Sequence, residues 1–158
     1  MRIATVAGLV ILLIALTSVA FGAAAESGLL VAAGAPLAAL MILGLHFLRP
    51  REELVGWAAL TLFLGTTYLG GALFEWSGLA ALAALAALGV LRSPWFLVAA
   101  WLGHIPWDFI PRELPVQLAD LPLTCVLYDG MVGIYLGWGA WTGRWQKITR
   151  SARELPFE

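Results

Sequence analysis

Six long apolar stretches, separated by short polar connections, take up most of this chain and leave it few possible folds. Hydrophobic residues fill 61% of the 158 positions and charged residues only 12%, whereas a soluble domain is about half apolar and a quarter charged. Runs of roughly 20 apolar residues match a bilayer core of about 30 Å. The sequence therefore predicts an all-α fold, a polytopic transmembrane bundle in a single domain, with no room for a second, water-soluble unit. The expected spans are about 3–21, 29–48, 54–74, 79–91, 94–110 and 122–141, followed by a basic tail over 143–158.

Local signals place the ends of these spans. The first begins after Arg2 and reaches Gly22-Ala23-Ala24-Ala25, so a cleaved signal peptide is weighed against a retained helix; the long apolar run favours retention. Arg49-Pro50-Arg51-Glu52-Glu53 ends the second span, and Glu75-Trp76-Ser77-Gly78 closes the third. The fourth, Leu79–Leu91, reaches only about 20 Å at the helical rise and must be tilted or extended by its flanks; its small side chains suit close helix contact. Ser93 and Asp120 are the expected N-caps of the last two spans, with Pro94 and Pro122 in their first turns.

Basic residues fix the orientation. With the N-terminus in the cytoplasm and six crossings, eight of the nine lysines and arginines fall inside and only Arg112 falls outside. Both termini are thus expected to be cytoplasmic, in the cell's inner membrane, with the tail residues Arg144, Lys147, Arg150 and Arg153 held on anionic lipid. Trp95, Trp138, Trp141 and Trp145 read as interface anchors on that side. The formal net charge of −1 gives no reason to expect nucleic acid. Cys125 is the one cysteine, which excludes an intrachain disulfide and a multi-cysteine metal site.

Against this apolar background, a few polar residues gather at one depth in the outer half. His104 precedes the outer end of the fifth span by six residues, and Asp108 follows it at i+4. Asp129 lies about 10 Å down the sixth helix. Tyr68, Cys125 and Tyr128 fall in the same slab, with Trp101 and Trp107 close by. Glu75 either joins them or sits in the headgroups. Ionisable groups inside a span cost about 2.5–3.5 kcal/mol each and normally face a protein interior or a wet cavity. His104, Asp108 and Asp129 are therefore expected to form one hydrogen-bonded cluster able to act as an acid–base set. Glu75, Tyr68, Tyr128, Trp101, Trp107 and Cys125 would line the binding site. Pro106, between His104 and Asp108, threatens a kink that would separate them.

One histidine with two carboxylates is permitted chemistry for zinc or manganese. The usual two or three histidines cannot be assembled, so a structural network and a ligand cavity rank ahead, and no metal or other cofactor is expected. Cys125 acting as a nucleophile with His104 ranks lower still, since lone buried cysteines are usually inert. Gly133 and Gly137 form a GxxxG pair whose partner is expected within the chain, with a homo-oligomer contact as the other reading.

At Gly103-His104-Ile105-Pro106-Trp107-Asp108, and again at Cys125-Val126-Leu127-Tyr128-Asp129-Gly130, the chain resembles a family of small bacterial integral-membrane proteins classed as a domain of unknown function. That family carries a Gly-His-x-x-Trp-Asp and a later Cys-x-x-Tyr-Asp segment. The similarity spans about Tyr68 to Leu136 and implies that His104, Asp108, Tyr128 and Asp129 are signature positions; it implies no reaction. Two functions are expected from this pattern. One is a membrane protein that binds or transports a small molecule, lipid headgroup or proton. The other is an intramembrane enzyme using the His/Asp pair on a lipid-like substrate.

Overall fold

Leucine, alanine and methionine lose little side-chain freedom in a helix, and the regular structure of this alanine- and leucine-rich chain is helical throughout its described part. The computed structural model describes residues 3–66, 73–110 and 116–145. Within them lie α1 (Ile3–Glu26), α2 (Leu30–His46), α3 (Pro50–Thr66), α4 (Leu73–Leu91), α5 (Trp95–Asp108), a 3₁₀ turn at Val116–Leu118, and α6 (Leu121–Trp141).

Several helix ends differ from the sequence expectation, each for a local reason. The alanines after Gly22 carry α1 on to Glu26, and Gly28 stops it: at φ 70° its backbone takes the left-handed conformation. The amide of Leu29 then bonds the Ala24 carbonyl at 2.9 Å, the closing contact of a glycine C-cap. The polar run expected to be a loop after α2 instead opens α3, with Pro50 in the first turn and Glu52 and Glu53 complementing the positive end of the helix. α3 ends at Thr66 rather than at Phe74, and α4 begins at Leu73. Glu75-Trp76-Ser77-Gly78 thus belongs to the first turns of α4, not to a connection. The fourth helix has 19 residues, about 28 Å, and the anticipated shortfall disappears. Asp120 does occupy the N-cap of α6, but its side chain makes no capping bond. Its carbonyl accepts from the Thr124 amide and hydroxyl instead.

The helices form a closed circuit of neighbours. α1 packs on α2, α2 on α6, α6 on α5, α5 on α4, α4 on α3, and α3 back on α1. The last helix in sequence is therefore inserted between α2 and α5, and it carries Asp129, Gly133, Leu136 and Ala140 along its buried side. Leu102 of α5 sits against Gly133, so a partner within the chain fills that position. At the centre, the fully buried Trp57 and Trp101 meet edge to face, ring centroids 5.7 Å apart. Trp101 donates its indole N–H to Thr61 at 3.0 Å, and Thr61 donates to the Trp57 carbonyl.

Many large apolar side chains lie on the described exterior. Phe47 is 84% exposed, Val19 74% and Ile134 73%, while Glu53, His104, Asp108 and Asp129 are buried. Two helices, Ala4–Glu26 and Val116–Trp141, are long and apolar enough to cross a membrane; Leu30–His46 and Trp76–Leu91 are shorter apolar helices.

Candidate functional site

His104 lies on the last turn of α5, where Trp101, His104 and Asp108 share the buried face at helical spacing. Pro106 does not break that spacing, because α5 continues unbroken to Asp108. The imidazole Nδ1 of His104 stands 3.5 Å from Asp108 Oδ2 and 2.7 Å from Asp129 Oδ2 on α6. The shorter contact is a charge-assisted hydrogen bond, with the imidazole N–H donating to the carboxylate. All three side chains are buried, and one ligating atom from each falls within 4.8 Å of the others. Asp129 is only 1% exposed; its Oδ2 is taken by His104, and its Oδ1 has no hydrogen-bond partner among the described residues.

Beside this cluster is a partly open cavity of about 300 Å³ bordered by α1, α2, α3, α5, α6 and the 3₁₀ turn. Asp129, Tyr128, Cys125, Thr124 and Trp101 form the wall on the side of α5 and α6, with Thr17 and Ser18 of α1 also lining it. The rest of the lining is mainly leucine, phenylalanine and methionine. A second, smaller cavity of about 130 Å³ lies between α3, α4 and α5 and is lined by His104, Trp107 and small residues including Gly78 and Gly103. The histidine and the aspartate it binds thus line two different cavities, with their hydrogen bond between them.

The residues singled out in the sequence separate accordingly. His104, Asp108 and Asp129 come together, and Trp101, Tyr128 and Cys125 line the larger cavity with Asp129. Trp107 lies instead on the smaller cavity with His104. Tyr68 and the Glu75 side chain fall outside the described residues.

A second buried polar cluster, which sequence reasoning missed, occupies the opposite end of the bundle. Glu53 is fully buried near the start of α3. It accepts from Tyr135 on one oxygen, and from Arg144 Nε at 2.7 Å and Trp145 Nε1 at 3.2 Å on the other. His46 donates to the Tyr135 hydroxyl at 2.8 Å, and Arg144 also bonds the His46 carbonyl at 3.1 Å. Two expectations are corrected here. Arg144 is a partner of Glu53 rather than a lipid anchor, and Trp145 is fully buried rather than interfacial. The cause is Gly143: its φ of 75° turns the chain back, the Arg144 amide bonds the Gly139 carbonyl, and Trp145 is laid over Gly139. A signal for Glu53 did exist. It falls in register with Trp57, Leu60 and Thr61, which share the buried stripe of α3.

No family model, curated protein or solved structure matches this chain.

Proposed function

We propose that the chain is a six-span protein of the cytoplasmic membrane, both termini inside, that binds a small amphiphilic molecule from the outer side and holds its polar group at Asp129. The observation that carries this reading is the 300 Å³ cavity with a buried carboxylate in its wall. An apolar enclosure with a few convergent polar groups is the usual form of a small-molecule site. Trp101 and Tyr128, with ring centroids 5.9 Å apart, add aromatic surface beside that carboxylate and suit a ligand bearing a protonated amine. The membrane reading is supported by the apolar exterior around buried ionisable groups and by the segregation of basic residues. The resemblance to the unassigned bacterial membrane family is part of this proposal; its two motifs supply His104, Asp108, Tyr128 and Asp129.

Native mass spectrometry of gently purified protein tests the reading. The wild type is expected to carry a small amphiphile that is lost in Cys125→Phe, which fills the cavity, and weakened in Asp129→Asn. Wild-type protein that binds none from a membrane extract, or a Cys125→Phe variant that retains it, overturns the proposal.

The 2.7 Å contact between His104 and Asp129 supports a second reading, an intramembrane enzyme acting on a lipid-like substrate. An imidazole held by a carboxylate is arranged to take up and return a proton. In that case the bound molecule is chemically altered on incubation, and His104→Gln protein keeps it intact.

A further inference from the structure

We infer that the larger cavity takes a single-chain amino alcohol, with its ammonium on Asp129 and its hydroxyl on Thr17 of α1. The inference rests on the cavity reading above; it adds the chemical class of the ligand and a second contact residue on another helix.

Thr17 is the observation that carries it. Val6, Val10 and Leu13 form the buried stripe of α1, and Thr17 falls next in that register, where a further apolar residue would be expected. Threonines inside helices commonly return their hydroxyl to the carbonyl one turn back. Thr61, Thr124 and Thr142 each do so, bonding the carbonyl four residues earlier at 2.8–3.0 Å. Thr17 Oγ1 makes no such bond. It is shielded from solvent, its side chain lines the cavity, and it has no hydrogen-bond partner among the described residues. A buried hydroxyl left unsatisfied is costly, and a ligand hydroxyl, which both donates and accepts, would satisfy it.

The other lining groups set the rest of the ligand. Asp129 Oδ1 is likewise buried and without a partner among the described residues, and an ionised carboxylate only accepts, so the group it receives is a donor. Trp101 and Tyr128 line the same cavity and favour a cationic donor. No arginine, lysine or histidine is among the described residues that line it, which disfavours a phosphate or carboxylate headgroup. The Thr124 hydroxyl is already engaged by the Asp120 carbonyl, which leaves Thr17 for the ligand's second polar group. Leu37, Met41, Leu60 and Phe63 offer apolar surface to one hydrocarbon chain. At about 300 Å³ the cavity is at the small end of ligand sites, and its open side lets the far end of the chain project outside.

Competition read by native mass spectrometry tests the inference. Delipidated protein is offered equal amounts of N-decylethanolamine and N-decylethylamine, which differ only by the hydroxyl. The wild type is expected to prefer the ethanolamine about three- to tenfold, the range of one hydrogen bond. Thr17→Val keeps the shape and removes the hydroxyl; it should bind both amines alike and, ligand-free, melt no lower than the wild type. Equal or reversed preference in the wild type overturns the inference and leaves the cavity reading standing, as does a preference that survives in Thr17→Val. A wild type that binds neither amine yet carries an amphiphile from a membrane extract also overturns this inference alone. Binding from neither source overturns both, as does a preference retained in Cys125→Phe, which would place the contact outside the cavity. The wild-type competition stands even if a variant fails to fold.

Discussion

The two ends of the bundle bury ionisable groups in opposite ways. At the Glu53 end, one carboxylate meets one guanidinium, both carboxylate oxygens have donors, and the ring of Trp145 closes over Gly139. At the His104 end, two carboxylates share one imidazole, one oxygen of Asp129 is left over, and cavities lie on both sides. A buried ion pair whose oxygens all have donors rigidifies a fold, whereas ionisable groups inside a span usually face a protein interior or a wet cavity. On the reading proposed above, the first cluster holds the fold and the second binds a ligand.

The contrast breaks most visibly if Glu53 proves dispensable. Glu53→Ala strands the Arg144 guanidinium and the Tyr135 and Trp145 donors, and is expected to cost about 3–5 kcal/mol, read as a large fall in thermal midpoint. The next effect is at Gly139, where any added side chain meets the Trp145 ring. Gly139→Ala should destabilise by about 1–3 kcal/mol. Gly130→Ala, near Asp129 in sequence and with nothing within 4 Å of the new methyl, should be neutral or stabilising by up to about 1 kcal/mol. Equal losses in the two glycine variants would show that both ends are packed alike. Tyr135→Phe, which removes a hydroxyl bonded to both Glu53 and His46, is expected to cost about 1–2 kcal/mol.

The sequence carried the two ends unequally. His104, Asp108 and Asp129 were legible because an ionisable group inside an apolar run is costly and therefore conspicuous, and their meeting followed from a shared depth. Glu53 was hidden by its neighbours: in Arg49-Pro50-Arg51-Glu52-Glu53 it looks like one of several solvated loop charges. Its burial depends on α3 starting at Pro50 and on a distant return of the chain at Gly143, neither of which local composition reveals. The division of residues 54–91 between two helices was misjudged for a related reason. Apolar character continues through Phe74, and hydropathy alone does not locate a helix end. The helix order around the bundle, with α6 between α2 and α5, is a tertiary outcome with no sequence-local trace.

Four rings, Tyr128, Trp101, Trp57 and Tyr135, run one after another between the two clusters with centroids 5.7–5.9 Å apart. On the six-span reading proposed above, that column sets aromatic carbon rather than water or ionisable side chains along the line from Asp129 to Glu53, which keeps the two buried charge clusters electrically separate within one bundle.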